Sequence, residues 1–296
     1  METKRFFGSC MMAAVVTAGC LLTSCSEDKQ EEVMKEFTTE GVLETLQSSD
    51  LANTRGLTQD GTTIKAVWKA DDKVYAYPDG SNKSIGTLSP KADQLGTERT
   101  KLDGTLNSSG LKVGDYMNFL MPREEFSYTG QVGTLADIEK KYDYAQSRVY
   151  ITEIGTNSMK GSTAKFTNAQ SIIRFTIKGA DGKLMNIPNL TISAAGKKLV
   201  TSRSMSGGTF SAVYGDLEIT PASATSELFV ALSNDKEDGD TYTLLTTIGT
   251  GKYTYTRSNV TFKKGQCYHV TVTMSLNDDT YSERTGYGTE EEQIWD

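Results

Sequence analysis

Histidine is almost missing from this chain: His269 is the only one. Any Ser-His-Asp or Cys-His arrangement would have to be built on it, with Cys267 two residues away on the same face of an alternating segment, and the pattern supplies no third group to orient such a base. A zinc site lacks ligands for the same reason. Cysteine is scarce as well. Cys10, Cys20 and Cys25 fall in the first 25 residues, so Cys267 stands alone in the remainder and no intrachain disulfide can form there. Long apolar runs are absent, since Phe6 to Leu22 is too short and too interrupted for a spanning helix. Positive charge is in deficit: the net charge is −7, and the balance of Lys4 and Arg5 against Glu2 at the start leaves the rest more negative still. That argues against nucleic acid as a partner. The best calcium-like run, Asn234 to Asp240, carries Lys236 where an alternating-ligand loop needs an oxygen, and reads as a hairpin turn. Glu124-Glu125 and Asp278-Asp279 are adjacent carboxylates in loop segments, better suited to solvation than to acid-base work. Gly207-Gly208 is followed by no helix, which removes a phosphate cradle. The expectation is a protein that is not an enzyme, with no cofactor, no metal and no catalytic residue.

What is present begins with a leader. Residues 1–24 read as a signal peptide, with a positive start at Lys4 and Arg5 and a largely apolar or small stretch to Leu22. Leu22-Thr23-Ser24-Cys25 resembles a lipobox, which implies lipidation of Cys25 and several buried acyl chains at ~0.8 kcal/mol per methylene, enough for firm anchoring. The acidic run Glu27, Asp28, Glu31 and Glu32 behind it is similar to the surface-export tag of bacterial lipoproteins. Cutting before Cys25 leaves a length that accommodates two domains of ~100 to 150 residues.

From Ile64 onward the chain reads as short alternating segments separated by Gly, Asn, Asp and Ser, the cadence of an all-β protein. Ile64 to Trp68 and Val74 to Tyr77 flank a polar turn at Asp71-Asp72, and Trp68 at a strand end is expected to cap a sandwich core. Further strands are expected at Ser84 to Leu88, Lys101 to Leu106, Tyr116 to Met121 and Val149 to Ile154. One helix is expected at Thr134 to Tyr142, where Thr134 and Asp137 form a capping pair and Leu135, Ile138 and Tyr142 share a face. A second domain opens with Phe166 to Ile177 and closes on Tyr268 to Met274. Upstream, Glu36 to Leu46 is a weak segment anchored by Phe37, Val42, Leu43 and Leu46. The expected division is 25–53 tether and first strand, 54–165 first sandwich, 166–275 second sandwich and 276–296 an acidic flexible tail.

Several of these stretches resemble one family in order. Thr54-Arg55, then Trp68, then an acidic turn with Asp72 and an aliphatic-Tyr strand, is similar to the N-terminal signature of fimbrillins, the lipoprotein precursors of type V pili. Tyr128-Thr129-Gly130-Gln131-Val132-Gly133-Thr134-Leu135 with Tyr142-Asp143-Tyr144, and then Phe166 to Ile177, resemble the family again. The resemblance implies two tandem transthyretin-like β-sandwiches and a structural or accessory, even tip, subunit of a surface pilus that serves adhesion to a host or bacterial surface ligand. It implies processing between Arg55 and Gly56, loss of the first strand, and insertion of another subunit's strand in its place. The location implied is the outer membrane through lipid on Cys25, then the cell surface. The competing reading is a glycan-binding surface lipoprotein of a nutrient-uptake system, which would need exposed aromatics in a platform.

Overall fold

The computed structural model describes residues 32–44, 46–47, 58–60, 63–206, 209–236 and 238–277, all within the unit Glu32–Asp296. Cys25, Arg55, Gly56 and the tail beyond Asn277 lie outside the described residues. The chain is nearly all β. Its first part contains β1 (Met34–Leu43), the short β2 (Leu46–Gln47), β3 (Thr58–Asp60) and β4 (Thr63–Lys65), then β5 (Val74–Pro78), β6 (Gly86–Pro90), β7 (Arg99–Asn107), β8 (Tyr116–Met121) and β9 (Phe126–Ser127). Helix α1 (Leu135–Lys141) follows, then β10 (Ala145–Ile154), β11 (Ser158–Gly161) and β12 (Ala164–Asn168). The second part contains β13 (Ser171–Gly179), β14 (Leu190–Ala194), β15 (Val200–Ser206), β16 (Thr209–Tyr214), β17 (Leu217–Ile219), β18 (Glu227–Leu232), β19 (Asp240–Ile248), β20 (Gly251–Val260) and β21 (Cys267–Leu276).

Period-two burial explains the first sheet. Along β10, Ala145, Ser147, Val149 and Ile151 point inward while the residues between them face water. The strands run β7-β6-β5-β8-β10, and β10 passes on to β11 and β12. One strand then joins the two ends: β1 pairs antiparallel with β7 and parallel with β11 and β12. The sheet is therefore a closed, flattened barrel around Phe37, Trp68, Leu88, Leu102, Phe119, Val149, Met159 and Phe166.

The second sheet has the order β17-β14-β19-β20-β21-β13-β18, with Ile173, Phe175 and Ile177 of β13 and Val272 and Met274 of β21 in its core. Its end strands β17 and β18 are joined by a visitor from the first half. Residues 122–144 leave the barrel after β8, pair β9 with β15, and run between the two edges: the Thr220 N–H donates to Gln131 O at 2.9 Å and the Phe229 N–H to Gly133 O at 3.0 Å. Tyr128, Ile138, Tyr142 and Tyr144 are buried in the second core, not the first.

Several expectations change. The strand expected over Ile64 to Trp68 ends at Lys65, and Trp68 instead exchanges backbone bonds with the 96–97 turn. The continuous strand expected over Phe166 to Ile177 is two strands broken at Ala169-Gln170, because β12 completes the barrel while β13 starts the second sheet, so Phe166 packs in the first core. The expected first strand Glu36 to Leu46 runs instead over Met34–Leu43. Strands β9, β11, β15 and β17 form in stretches where the sequence pattern marks no strand. Helix α1 forms as the spacing suggests: the Thr134 hydroxyl accepts from the Asp137 N–H at 3.2 Å, but the Asp137 carboxylate turns upstream to the Val132 N–H, also at 3.2 Å.

Candidate functional site

The feature with the most functional content is the bed of β1. Phe37, Thr39, Gly41 and Leu43 point into the barrel and are buried, while Glu36, Lys35, Glu40 and Val42 face outward or sideways. On one flank Met34 to Val42 lie opposite Asn107 to Arg99 of β7. On the other, Glu36 to Thr38 lie beside Ser158 to Lys160 and Gly41 to Leu43 beside Ala164 to Phe166. The ring of Phe37 meets that of Phe119 edge-on at 5.9 Å. The Thr39 hydroxyl donates to Ser162 O at 2.6 Å. On the outer face Lys35 Nζ donates to Gly155 O at 2.6 Å, and Arg99 pairs with Glu40 at 3.2 Å. Lifting β1 out would leave an apolar trough with unpaired backbone on both banks, the template for an incoming strand.

Trp68 forms part of the floor. It is 1% exposed, its indole N–H donates to Glu98 O at 3.2 Å, and its ring stands edge-on to Phe166 at 5.5 Å. Asp72, buried, closes the turn behind it by accepting from the Lys69 N–H at 2.9 Å. Lys69 also forms an ion pair with Glu139 of α1, which ties this turn to the visiting segment.

The residues considered for chemistry do not converge. Cys267 packs between the two cores, and burial, with a smaller push from Asp143, drives its thiol up to about 12, so it is protonated at neutral pH. His269, two residues on, is exposed with Nε2 3.0 Å from the Thr176 hydroxyl. In the Asn234 to Asp240 turn, burial alone would raise the Asp240 carboxyl, but hydrogen bonds from Asn234, Thr241 and Gly196 together with Lys236 hold it below its ordinary range. Lys236 Nζ stands 3.5 Å from Asp240, occupying the place of a cation. Among the described residues no group of three or more His, Cys, Asp or Glu is arranged to hold a metal ion. An open groove of about 680 Å³ is lined by Thr38, Glu40, Arg99, Lys101 and Lys160 among other polar and charged residues, with no aromatic or aliphatic side chain of the kind that lines a small-molecule cleft.

A glycan platform would need flat exposed rings. Tyr116 and Tyr150 are exposed neighbours, but they meet edge-on at 6.1 Å and Arg148 covers the Tyr116 ring at 4.2 Å. That is a cross-strand stabilising cluster, with Arg148 held by Asp79 at 2.7 Å, and it offers no broad stacking face.

No family model matches the sequence, and no curated protein does. Among solved structures the chain is similar to a candidate cell adhesion protein from Bacteroides ovatus (13% identity, TM-score 0.42), with 82% of this chain and 95% of the other covered. A candidate cell adhesion protein from Bacteroides fragilis gives 14% identity and a TM-score of 0.39, covering 86% and 100%. A fimbrial assembly protein from Parabacteroides distasonis gives 13% identity and a TM-score of 0.38, covering 82% and 93%. Identity and score are both too low for these likenesses to assign a family.

Proposed function

We propose that this chain is a fimbrillin-like subunit of a surface pilus, carried to the outer membrane as a lipoprotein through Cys25 and assembled by exchange of its first strand for a strand of another subunit. The observation that carries the reading is the position of β1: it precedes Arg55 in the chain, it closes the barrel, and its buried side chains would leave a continuous trough if a cut at Arg55 released it. Refilling that trough returns roughly 1.5 to 3 kcal/mol for each large apolar side chain, here Phe37 and Leu43, besides the backbone ladder. Vacancy is the unfavourable state. The in-order match of Thr54-Arg55, Trp68 and Tyr128 to Tyr144 to the fimbrillin pattern supports the same reading. The C-terminal sequence from Asp278 has too few alternating apolar residues to make a good donor, which favours an accessory or tip position, and adhesion to a host or bacterial surface ligand follows from that placement.

The test is limited trypsin treatment of the purified precursor, N-terminal sequencing of the product, and mixing with stalk subunits of the same organism. A core beginning at Gly56 that forms heat-resistant complexes is the expected result. Cleavage elsewhere, or a nicked core that stays monomeric with every stalk subunit, would remove the proposal.

A further inference from the structure

We infer that the trough under β1 selects its occupant by side-chain size, and that the partner is a different chain bearing an aromatic residue, a small hydroxyl residue, glycine and an aliphatic residue at alternate positions from its N-terminal end. The inference rests on the strand-replacement reading above and adds a sequence rule to it. The rule comes from what β1 itself fits. Gly41 is there for want of space: a Cβ added to it would stand 2.8 Å from Leu102 Cδ1 and 2.9 Å from Trp68 Cζ2. Neither neighbour can withdraw easily, because both are fully buried and Trp68 is fixed by its bond to Glu98 O and by the Phe166 ring. Two positions earlier along the inward face, Thr39 is of a size to fit and directs its hydroxyl to Ser162 O. Two further back the relation inverts. Phe37 lies opposite Gly104 of β7, and its ring fills the space left by Gly161, where a Cβ would come within 2.6 Å of Phe37 Cζ and 2.8 Å of Val149 Cγ1. At the far end Leu43 lies beside Phe166.

Large, small, smallest, large is therefore built into the walls. Direction is fixed as well, since the occupant must run antiparallel to β7 and parallel to β11 and β12, and a reversed strand would set its aromatic residue in the Leu43 place beside Phe166 and its hydroxyl residue, not glycine, against Trp68. The chain's own C-terminal sequence does not satisfy the rule. Its glycines, Gly286 and Gly288, are preceded four residues earlier by Ser282 and Arg284 and followed two later by Gly288 and Glu290. A second copy donating that segment would leave both large slots without an apolar side chain in either register.

The experiment uses the chain nicked between residues 48 and 57 by an inserted protease sequence, so that β1 is held without a covalent link, and labelled peptides that compete for its place. A peptide of sequence 34–43 should exchange in. The same peptide with Gly41→Ala should enter about ten- to a hundredfold more weakly, with Gly41→Val not measurably, and with Phe37→Ala at least about a hundredfold more weakly. A 278–296 peptide should not compete. In the intact chain, Leu102→Ala should relieve part of the loss of denaturation midpoint caused by Gly41→Ala, so that the double variant is more stable than the two single losses add to. Entry of the Gly41→Ala and Gly41→Val peptides as strong as that of the unaltered peptide, or competition by the 278–296 peptide, overturns the size rule alone. Failure of the unaltered 34–43 peptide to enter removes the strand-replacement reading and the rule with it.

Discussion

Trp68 and Gln131 each hold a position that no neighbour could take over. Trp68→Ala would open a cavity between Leu102, Gly41 and Phe166 and orphan Glu98 O on one side, and the expected cost is ~3 to 5 kcal/mol, read as a lower urea midpoint. An unchanged midpoint would contradict it. Gln131 is buried and satisfies three backbone groups at once: its Nε2 donates to Tyr128 O at 2.8 Å and Ala231 O at 2.9 Å, and its Oε1 accepts from the Ala231 N–H at 2.8 Å. Gln131→Leu keeps much of the volume and strands all three, so a loss of ~2 to 4 kcal/mol is expected in denaturant melts. The two residues differ in how readable they were. A tryptophan ending an alternating stretch announces a core position, whereas a glutamine in a Gly-rich loop gives no sign that its amide will be asked to serve another sheet's edge.

Among the elements, the segment 122–144 and strand β1 share one task, closing a sheet with residues from elsewhere in the chain. The segment was legible as a local object: Thr134 caps a helix and Ile138 and Tyr142 share its buried face. Its address was not legible, because an apolar face states that it will be buried and says nothing of which core will bury it. Tyr128 and Tyr144 lie between barrel strands β8 and β10 in sequence and join the second core in space. The break between β12 and β13 was hidden for a related reason, since Ala169-Gln170 carries no Gly or Pro to punctuate the stretch from Phe166 to Ile177. β1 looked weak because Thr39 and Gly41 take two of its four inward places, yet those small residues are what Trp68 and Leu102 require. One consequence is testable at this scale. Deleting 122–144 and joining its ends should expose apolar surface of the second sheet, not the barrel, so hydrogen exchange should rise in β17 and β18 while β6 and β7 keep their protection. Uniform loss of protection in both would argue against the segment belonging to the second core.

For the whole molecule, the absence of buried histidine and the abundance of buried phenols set the pH response. Burial first, with nearby carboxylates and phenols adding, pushes Tyr77, Tyr142 and Tyr242 up to about 12, and burial raises Tyr128 and Tyr144 in the same direction. In the unfolded chain these phenols titrate near ~10. The folded state thus holds protons that the unfolded state gives up. The stability tied to them is complete below about pH 10 and is lost as pH rises from ~10 towards ~12. Urea midpoints should be flat from about pH 7 to 8, decline slightly near pH ~9 as the Cys267 thiol ionises in the unfolded chain only, and fall steeply above pH ~10, with phenolate absorbance appearing together with unfolding. A midpoint that holds to pH ~12 would show that these rings are not as dry as their burial implies.

The double flank of β1 also decides how the molecule responds to pull. Its bonds to β7 cross the strand axis over nine facing residues, and the far bank adds bonds to β11 and β12. A force directed along that axis loads the whole set in shear, so every rung must give way together. A force applied sideways from one end would peel the same rungs one at a time. A strand seated in this way grips hardest against tension along its own length and least against a pull that starts at one end.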